Sequence, residues 1–243
     1  MIGELTDGFP ADNQVGLRLY GHWGPWITRK TDPQGAMVPW EDPRLNTDSD
    51  LVVPIGLVDA KQRAELKRWI NWTQPRGKTP MVYSLLQAQK DFSPDWKGPR
   101  TVILVSDGLE TCGGKLEDLA KAYEGAGIEA VIHVVGFDIA GTDAEKQLRR
   151  IAKIGGGEYF GAQNAKQLGA ALKAVATAGA FAVYDESGSL AGRGTVNGGP
   201  VPLLPGMYRV RLPQVKADEL EISVTNGPAL RLLLKEDGSL NRP

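Results

Sequence analysis

The chain has 243 residues, 42% of them apolar and 23% charged, with 28 basic residues against 29 acidic ones. These figures fit an ordinary globular protein and exclude a disordered chain, a collagen and a coiled coil, while the net charge of -1 lacks the basic excess of a nucleic-acid binder. No apolar run approaches the ~20 residues that cross a bilayer, Met1-Ile2-Gly3-Glu4-Leu5 shows neither the basic nor the apolar region of a signal peptide, and a single cysteine, Cys112, excludes an internal disulfide and a multi-cysteine zinc site.

Strand-like runs and helical patterns alternate up to about residue 178. Val15-Gly16-Leu17-Arg18-Leu19-Tyr20 and Leu51-Val52-Val53-Pro54 read as strands. Between them, residues 21–50 hold Trp23, Trp26 and Trp40 among prolines and acidic residues. Such a segment is either an insertion folded over its own tryptophans or a recognition loop. Asp59 to Trp72 carries Leu66, Trp69 and Ile70 at helical spacing. Thr79-Pro80 reads as an N-cap and first position of a further helix, with Val82, Leu85 and Leu86 on one face.

The run from Thr101 to Ser106 is continuously apolar, as in a parallel strand buried on both faces. Leu116, Leu119, Ala120 and Tyr123 follow at helical spacing, with Gly125 and Gly127 as the stop. Ala130 to Val135 is a second buried strand, Thr142 and Glu145 form a capping box for a helix to about Ile154, and Glu158-Tyr159-Phe160 is a short strand. A last helix shows Leu168, Ala171, Leu172 and Val175. The alternation predicts an α/β fold with a mostly parallel sheet over residues 1–178. Beyond Gly179 only short strands remain, at 181–184, 194–196, 208–212, 220–224 and 230–234, and they predict a small all-β domain over 179–243 that packs on its neighbour.

Ser106-Asp107-Gly108 closes the strongest strand at the end where α/β sheets bind ligands. Its aspartate is either a ligand for a hard cation such as Mg2+ or a plain turn residue. Gly77-Lys78-Thr79-Pro80 is fully explained as a helix cap. Gly108 to Lys115 resembles a phosphate loop, but the lysine comes one residue late and Leu116 stands where a hydroxyl is required. Gly155-Gly156-Gly157 reads as a helix C-cap. Asp185-Glu186-Ser187-Gly188-Ser189 matches an Asp-x-Ser-x-Ser metal pattern, yet a strand follows it where a helix is required, so it reads as a hairpin loop. His133 reads as an interior histidine, His22 has no second histidine near it, and Cys112 reads as a small buried thiol.

Taken together, these segments resemble a von Willebrand factor type A (VWA) domain, of the bacterial sort grouped with calcium-activated chloride channel homologues. The residues that carry the resemblance run from Val15 to His22, then Gly77-Lys78-Thr79-Pro80 with Ser84-Leu85, Thr101 to Gly108 with Glu110-Thr111-Cys112, His133 to Asp138, and Gly156 to Phe160. The resemblance implies a Rossmann-like sheet with a metal-ion-dependent adhesion site at its upper edge. Thr79 and Asp107 are the positions that match two of that site's oxygen-bearing segments. It also implies a protein partner that offers an acidic group, and an extracytoplasmic location.

One departure stands out. Met1 to Gly8 reads as the end of the family's first helix, so the first, central strand and its metal loop are absent from this sequence, as in an N-terminally truncated chain. Four or five buried apolar side chains at ~1.5–3 kcal/mol each are then missing, and the neighbouring strands are expected to leave an edge that another strand must fill. The cation site is expected to be incomplete. The leading expectation is thus a non-enzymatic protein-binding module, with two rivals: a structural remnant without metal binding, and a small-molecule enzyme on a Rossmann-like sheet. No glycine-rich loop after a first strand and no general base support the enzyme.

Overall fold

The structure is a computed structural model. It describes residues 6, 9, 13–22, 43–74, 76–93, 95, 100–124, 130–177, 180–196, 200–212, 220–227, 229–234 and 240–241. Strand β1 (Gln14–Tyr20) pairs antiparallel with β2 (Ser49–Leu57). Helices α1 (Ala60–Trp72) and α2 (Met81–Ala88) follow. Then come β3 (Arg100–Ser106), α3 (Leu116–Glu124), β4 (Ala130–Phe137), α4 (Asp143–Ile154), β5 (Gly156–Ala162) and α5 (Ala165–Thr177). Strands β3, β4 and β5 form a parallel sheet in that order, so the expected α/β class holds.

The apolar run of β4 explains the centre of that sheet. Ile132 and Val134 enter one cluster with Met81 and Leu85 of α2, Leu119 of α3, and Leu148 and Ile151 of α4. Val135, whose side chain alternates to the other face, packs with Leu168, Ala171 and Leu172 of α5. Helices therefore cover both faces, as a parallel sheet requires. Gly155 ends α4 as its C-cap and Gly156 takes φ +67°, as the glycine run predicts. Gly157 adds a reason the sequence does not show: a β-carbon there would collide with the Ile132 carbonyl oxygen.

The C-terminal region is an antiparallel sheet ordered β7-β6-β8-β9, from β6 (Ala180–Asp185), β7 (Leu190–Thr195), β8 (Gly206–Arg211) and β9 (Leu220–Val224). Val183, Tyr208, Val210 and Ile222 build its core. Asp185 to Ser189 is the β6–β7 hairpin, where Ser187 Oγ donates to Asp185 Oδ1 at 2.6 Å and Ser189 N donates to it at 2.9 Å. Those bonds hold the Asp185 carboxyl below its usual range.

Several local expectations change. The helix expected to start at Pro80 starts at Met81, and Pro80 itself is the N-cap, without a side-chain cap bond. The strand expected at 51–54 runs from Ser49 to Leu57, and Pro43–Thr47 is a 3-10 turn, so the insertion is shorter than 21–50. Its tryptophans Trp23, Trp26 and Trp40 lie outside the described residues, as do Gly125, Gly127 and the side chain of Val175. Of the residues 1–8 expected to end a helix, only Thr6 is described, and it is buried. The strand expected at 230–234 shrinks to β10 (Leu233–Leu234), paired with β11 (Leu240–Asn241). No described helix is long and apolar enough to cross a membrane.

Candidate functional site: the rim at the C-terminal end of β3

Two loops meet where β3 ends. Thr111 N donates to Thr79 O at 3.2 Å, and Thr79 N donates to Thr111 Oγ1 at 2.8 Å. Glu110 locks them further, because its carboxylate accepts from Val82 N at 2.8 Å and from Cys112 N at 2.7 Å. Helix α2 lacks a cap of its own, and Glu110 supplies one from another loop. A carboxylate at a helix N-terminus satisfies an orphan amide and faces the positive end of the dipole. The segments bearing the two residues expected to hold a cation are thus joined: Thr79 directly, and Asp107 three residues before Glu110. Asp107 is exposed and Thr79 half-buried.

The Thr79 loop is fixed from below by a pair of glycines. Gly21 takes φ +64°, and a β-carbon on it would stand 2.5 Å from Lys78 O. Its carbonyl accepts from Arg76 N at 2.9 Å and Gly77 N at 2.7 Å. A β-carbon on Gly77 would stand 2.8 Å from Asp48 Oδ2. Only glycine permits this approach at either position. Beneath it, the fully buried Asp48 faces His22, with Asp48 Oδ1 3.0 Å from His22 Nδ1, and Asp50 Oδ2 lies 3.5 Å from His22 Nε2. Lys78 Nζ donates to Asn46 Oδ1 at 3.1 Å.

Tyr20, the last residue of β1, donates its phenol to Val105 O of β3 at 2.8 Å. Burial pushes its pKa up to about 12, and the charges of Asp107 and Glu110 add to the rise against a bond from Ser106. The C-terminal ends of β1 and β3 therefore share one rim. Cys112, expected as a small buried thiol, is only half-buried; burial first, and Glu110 second, still push its thiol up, which keeps it protonated and a poor nucleophile. Among the described residues no group of three His, Cys, Asp or Glu is placed to hold a metal ion.

Glu110, Tyr20 and the His22–Asp48 pair are the rim residues that sequence reasoning passed over. Glu110 stands inside a segment that carries the resemblance, but only the fold shows which amides it meets. His133, expected as an interior histidine, is indeed buried. Its Nδ1 accepts from Glu158 N at 3.2 Å, and burial lowers its pKa to about 4.

No family model matches the chain. Two curated proteins of Bacillus subtilis (strain 168) do. The uncharacterized protein YwmC is 40% identical over 100 residues, 41% of this chain and 43% of YwmC. The uncharacterized protein YwmD is 33% identical over 176 residues, 68% of this chain and 68% of YwmD. Among solved structures, a von Willebrand factor type A protein from Catenulispora acidiphila superposes with a TM-score of 0.53 at 15% identity, over 80% of this chain and 44% of that one. The conserved hypothetical protein BatB from Bacteroides thetaiotaomicron superposes with a TM-score of 0.50 at 19% identity, over 71% of this chain and 82% of that one. The protein has a VWA-like fold, and by its likeness to YwmD it belongs to the YwmD family.

Proposed function

We propose that this protein is a non-enzymatic protein-binding module of the VWA kind whose partner-facing surface is the rim at the end of β3. The observation that carries the reading is the mutual bonding of the Thr79 and Thr111 segments, with Glu110 clamped between them. It leaves a hydroxyl and an exposed carboxylate, Thr79 and Asp107, on neighbouring loops. Leu109 is exposed beside them and offers an apolar contact.

A hard cation takes about six oxygen ligands. Thr79 and Asp107 are too few for a tight Mg2+ site, and Glu110 already accepts from two amides. The donor set suits a weakly held ion shared with the partner, whose acidic group and water complete the shell. When bound, the ion supplies positive charge for that acidic group. The chain's own part is to hold the Thr79 and Asp107 oxygens outward on loops stiffened by the Gly21–Gly77 contact. The Cys112 thiol, pushed up by burial and by Glu110, is a poor nucleophile, which favours binding over thiol catalysis. The resemblance to bacterial chloride-channel-homologue VWA domains leads us to expect an extracytoplasmic setting.

The test is a calorimetric titration with MgCl2, with and without acetate as a stand-in for the partner's carboxylate. A saturable signal at millimolar Mg2+, tightened by acetate and lost in Asp107→Ala and Thr79→Ala, is the expected result. The same titration curve in the wild type and in Asp107→Ala would refute the cation site.

A further inference from the structure

We infer that the hollow between the C-terminal ends of β4 and β5 is a binding site for one uncharged, hydroxyl-rich ring of monosaccharide size. It lies beyond β3 in the same sheet, at the edge where α/β sheets take ligands, and it does not depend on a cation at the rim.

The hollow has a cause in the sequence. Gly136 and Gly161 are register partners on adjacent strands, so the sheet carries no side chain at this level. The Tyr159 ring lies across the gap. A β-carbon on Gly136 would stand 2.4 Å from its phenol oxygen, whereas one on Gly161 would stay 3.8 Å from the ring, with nothing nearer. Gly136 is needed to seat the tyrosine, and Gly161 leaves open space. The result is a pocket of about 230 Å³. That is below the ~300–1,000 Å³ of sites for drug-sized ligands and suits a single ring. Ile139 and Ala162, both buried, supply apolar lining.

The walls are set before a ligand arrives. Asp138 N donates to Ala162 O at 2.8 Å and ties the two loops together. Gly141 N donates to Glu145 Oε2 at 2.7 Å, and Gln163 N donates to Gln167 Oε1 at 2.7 Å. Such pins reduce the cost of ordering the site on binding.

The polar groups decide the ligand. The Gly141 amide first, and Arg149 second, hold the Glu145 carboxyl below its usual range, so it is an acceptor. Arg149 donates twice to Glu145 Oε1, at 3.0 and 2.7 Å, and lies 4.2 Å from the centre of the Tyr159 ring. Its guanidinium offsets the carboxylate charge, so a cationic ligand gains little here, and an anionic one faces a carboxylate. Burial first, and Glu145 second, push the Tyr159 phenol up, which keeps it a donor at neutral pH. Gln167 turns its oxygen to Gln163 N, which leaves its amide hydrogens to donate into the pocket it lines. Donors and an acceptor around an apolar lining, with their charge balanced, complement a ring whose hydroxyls both give and accept hydrogen bonds.

The test uses the full chain and saturation-transfer NMR. The probes are D-glucose, D-galactose, N-acetyl-D-glucosamine and their methyl glycosides, beside n-butylammonium and butyrate as charged controls. The expected result is saturable binding of at least one sugar at millimolar concentration, with shifts of the backbone amides at 136, 161 and 163 and no binding of either charged probe. Gly161→Val fills the hollow and should abolish the signal, with its Tm reporting that the variant folds. Tyr159→Phe keeps the ring under Arg149 and should weaken binding roughly three- to tenfold. Binding of a methyl glycoside as well as its free sugar assigns the site to the end of a glycan chain, and binding of the free sugar alone assigns it to a free monosaccharide. No binding of any sugar, tighter binding of a charged probe, or unchanged binding in both Gly161→Val and Tyr159→Phe would each overturn the inference. Asp107→Ala should bind the sugar as the wild type does, which separates this site from the cation reading.

Discussion

Strands β3 and β4 are neighbours with aliphatic centres, Val102 to Val105 and Val131 to Val135 around His133, and different fates. β4 lies between two partners, with helices on both faces, and is buried along almost its whole length. β3 has one partner among the described strands and stays half-exposed over most of its residues. An apolar run therefore specifies the capacity for burial, and the neighbours decide how much of that capacity is used.

The sharpest way to break the comparison is to truncate matched residues. Ile132→Ala, inside the β4 core, should cost about 3–4 kcal/mol, and Ile103→Ala on β3 only about 1–2 kcal/mol, in urea unfolding. Equal costs in the free chain would mean that β3 is already enclosed.

The next effect is a pH dependence of β4. The native pKa of His133 is lowered from 6.5 to about 4 by burial. Between those values the unfolded chain binds more protons than the native one, so stability is fully present above pH 6.5 and falls as the pH drops to 4. The loss is up to about 3 kcal/mol at 1.36 kcal/mol per pKa unit. His133→Gln should flatten this slope in denaturation measured across the range.

Two smaller effects belong to the β3 side. Tyr20→Phe leaves Val105 O without its phenol and should cost about 1–2 kcal/mol. The native Tyr20 pKa stands above its ordinary value of 10.0, at about 12. The native chain thus holds a proton that the unfolded chain loses. Stability should fall as pH rises between these values, and the variant should lack that alkaline decline. Glu110→Gln removes the charge facing the first amides of α2 and should cost about 1 kcal/mol by thermal unfolding, with no change in the exchange of β4 amides.

The β3-to-α5 architecture was legible because local and global signals agree there. Continuous apolar strands, the Thr142 cap and the glycine stop after Ile154 each report a contact made nearby in the chain. The rim was legible in outline only. Thr79 and Asp107 stand at recognisable places, but Glu110 caps a helix that begins almost thirty residues earlier. No periodicity encodes such a bond. His22 and Asp48 meet for the same reason, through a strand pairing that closes a long segment. Pro54 misled in another way. It reads as the end of a strand, yet β2 continues through it to Leu57, which a proline tolerates where its nitrogen faces no partner.

The Gly21–Gly77 contact bears on how the end of β1 and the rim communicate. Gly21 follows directly on Tyr20, and its carbonyl anchors the segment that ends at Thr79. Any displacement of Tyr20 would pull on this knuckle, where a β-carbon on Gly77 would stand 3.0 Å from the Gly21 α-carbon. The end of β1 and the lip of the sheet are then mechanically coupled through a single peptide unit, as a latch is coupled to its pin.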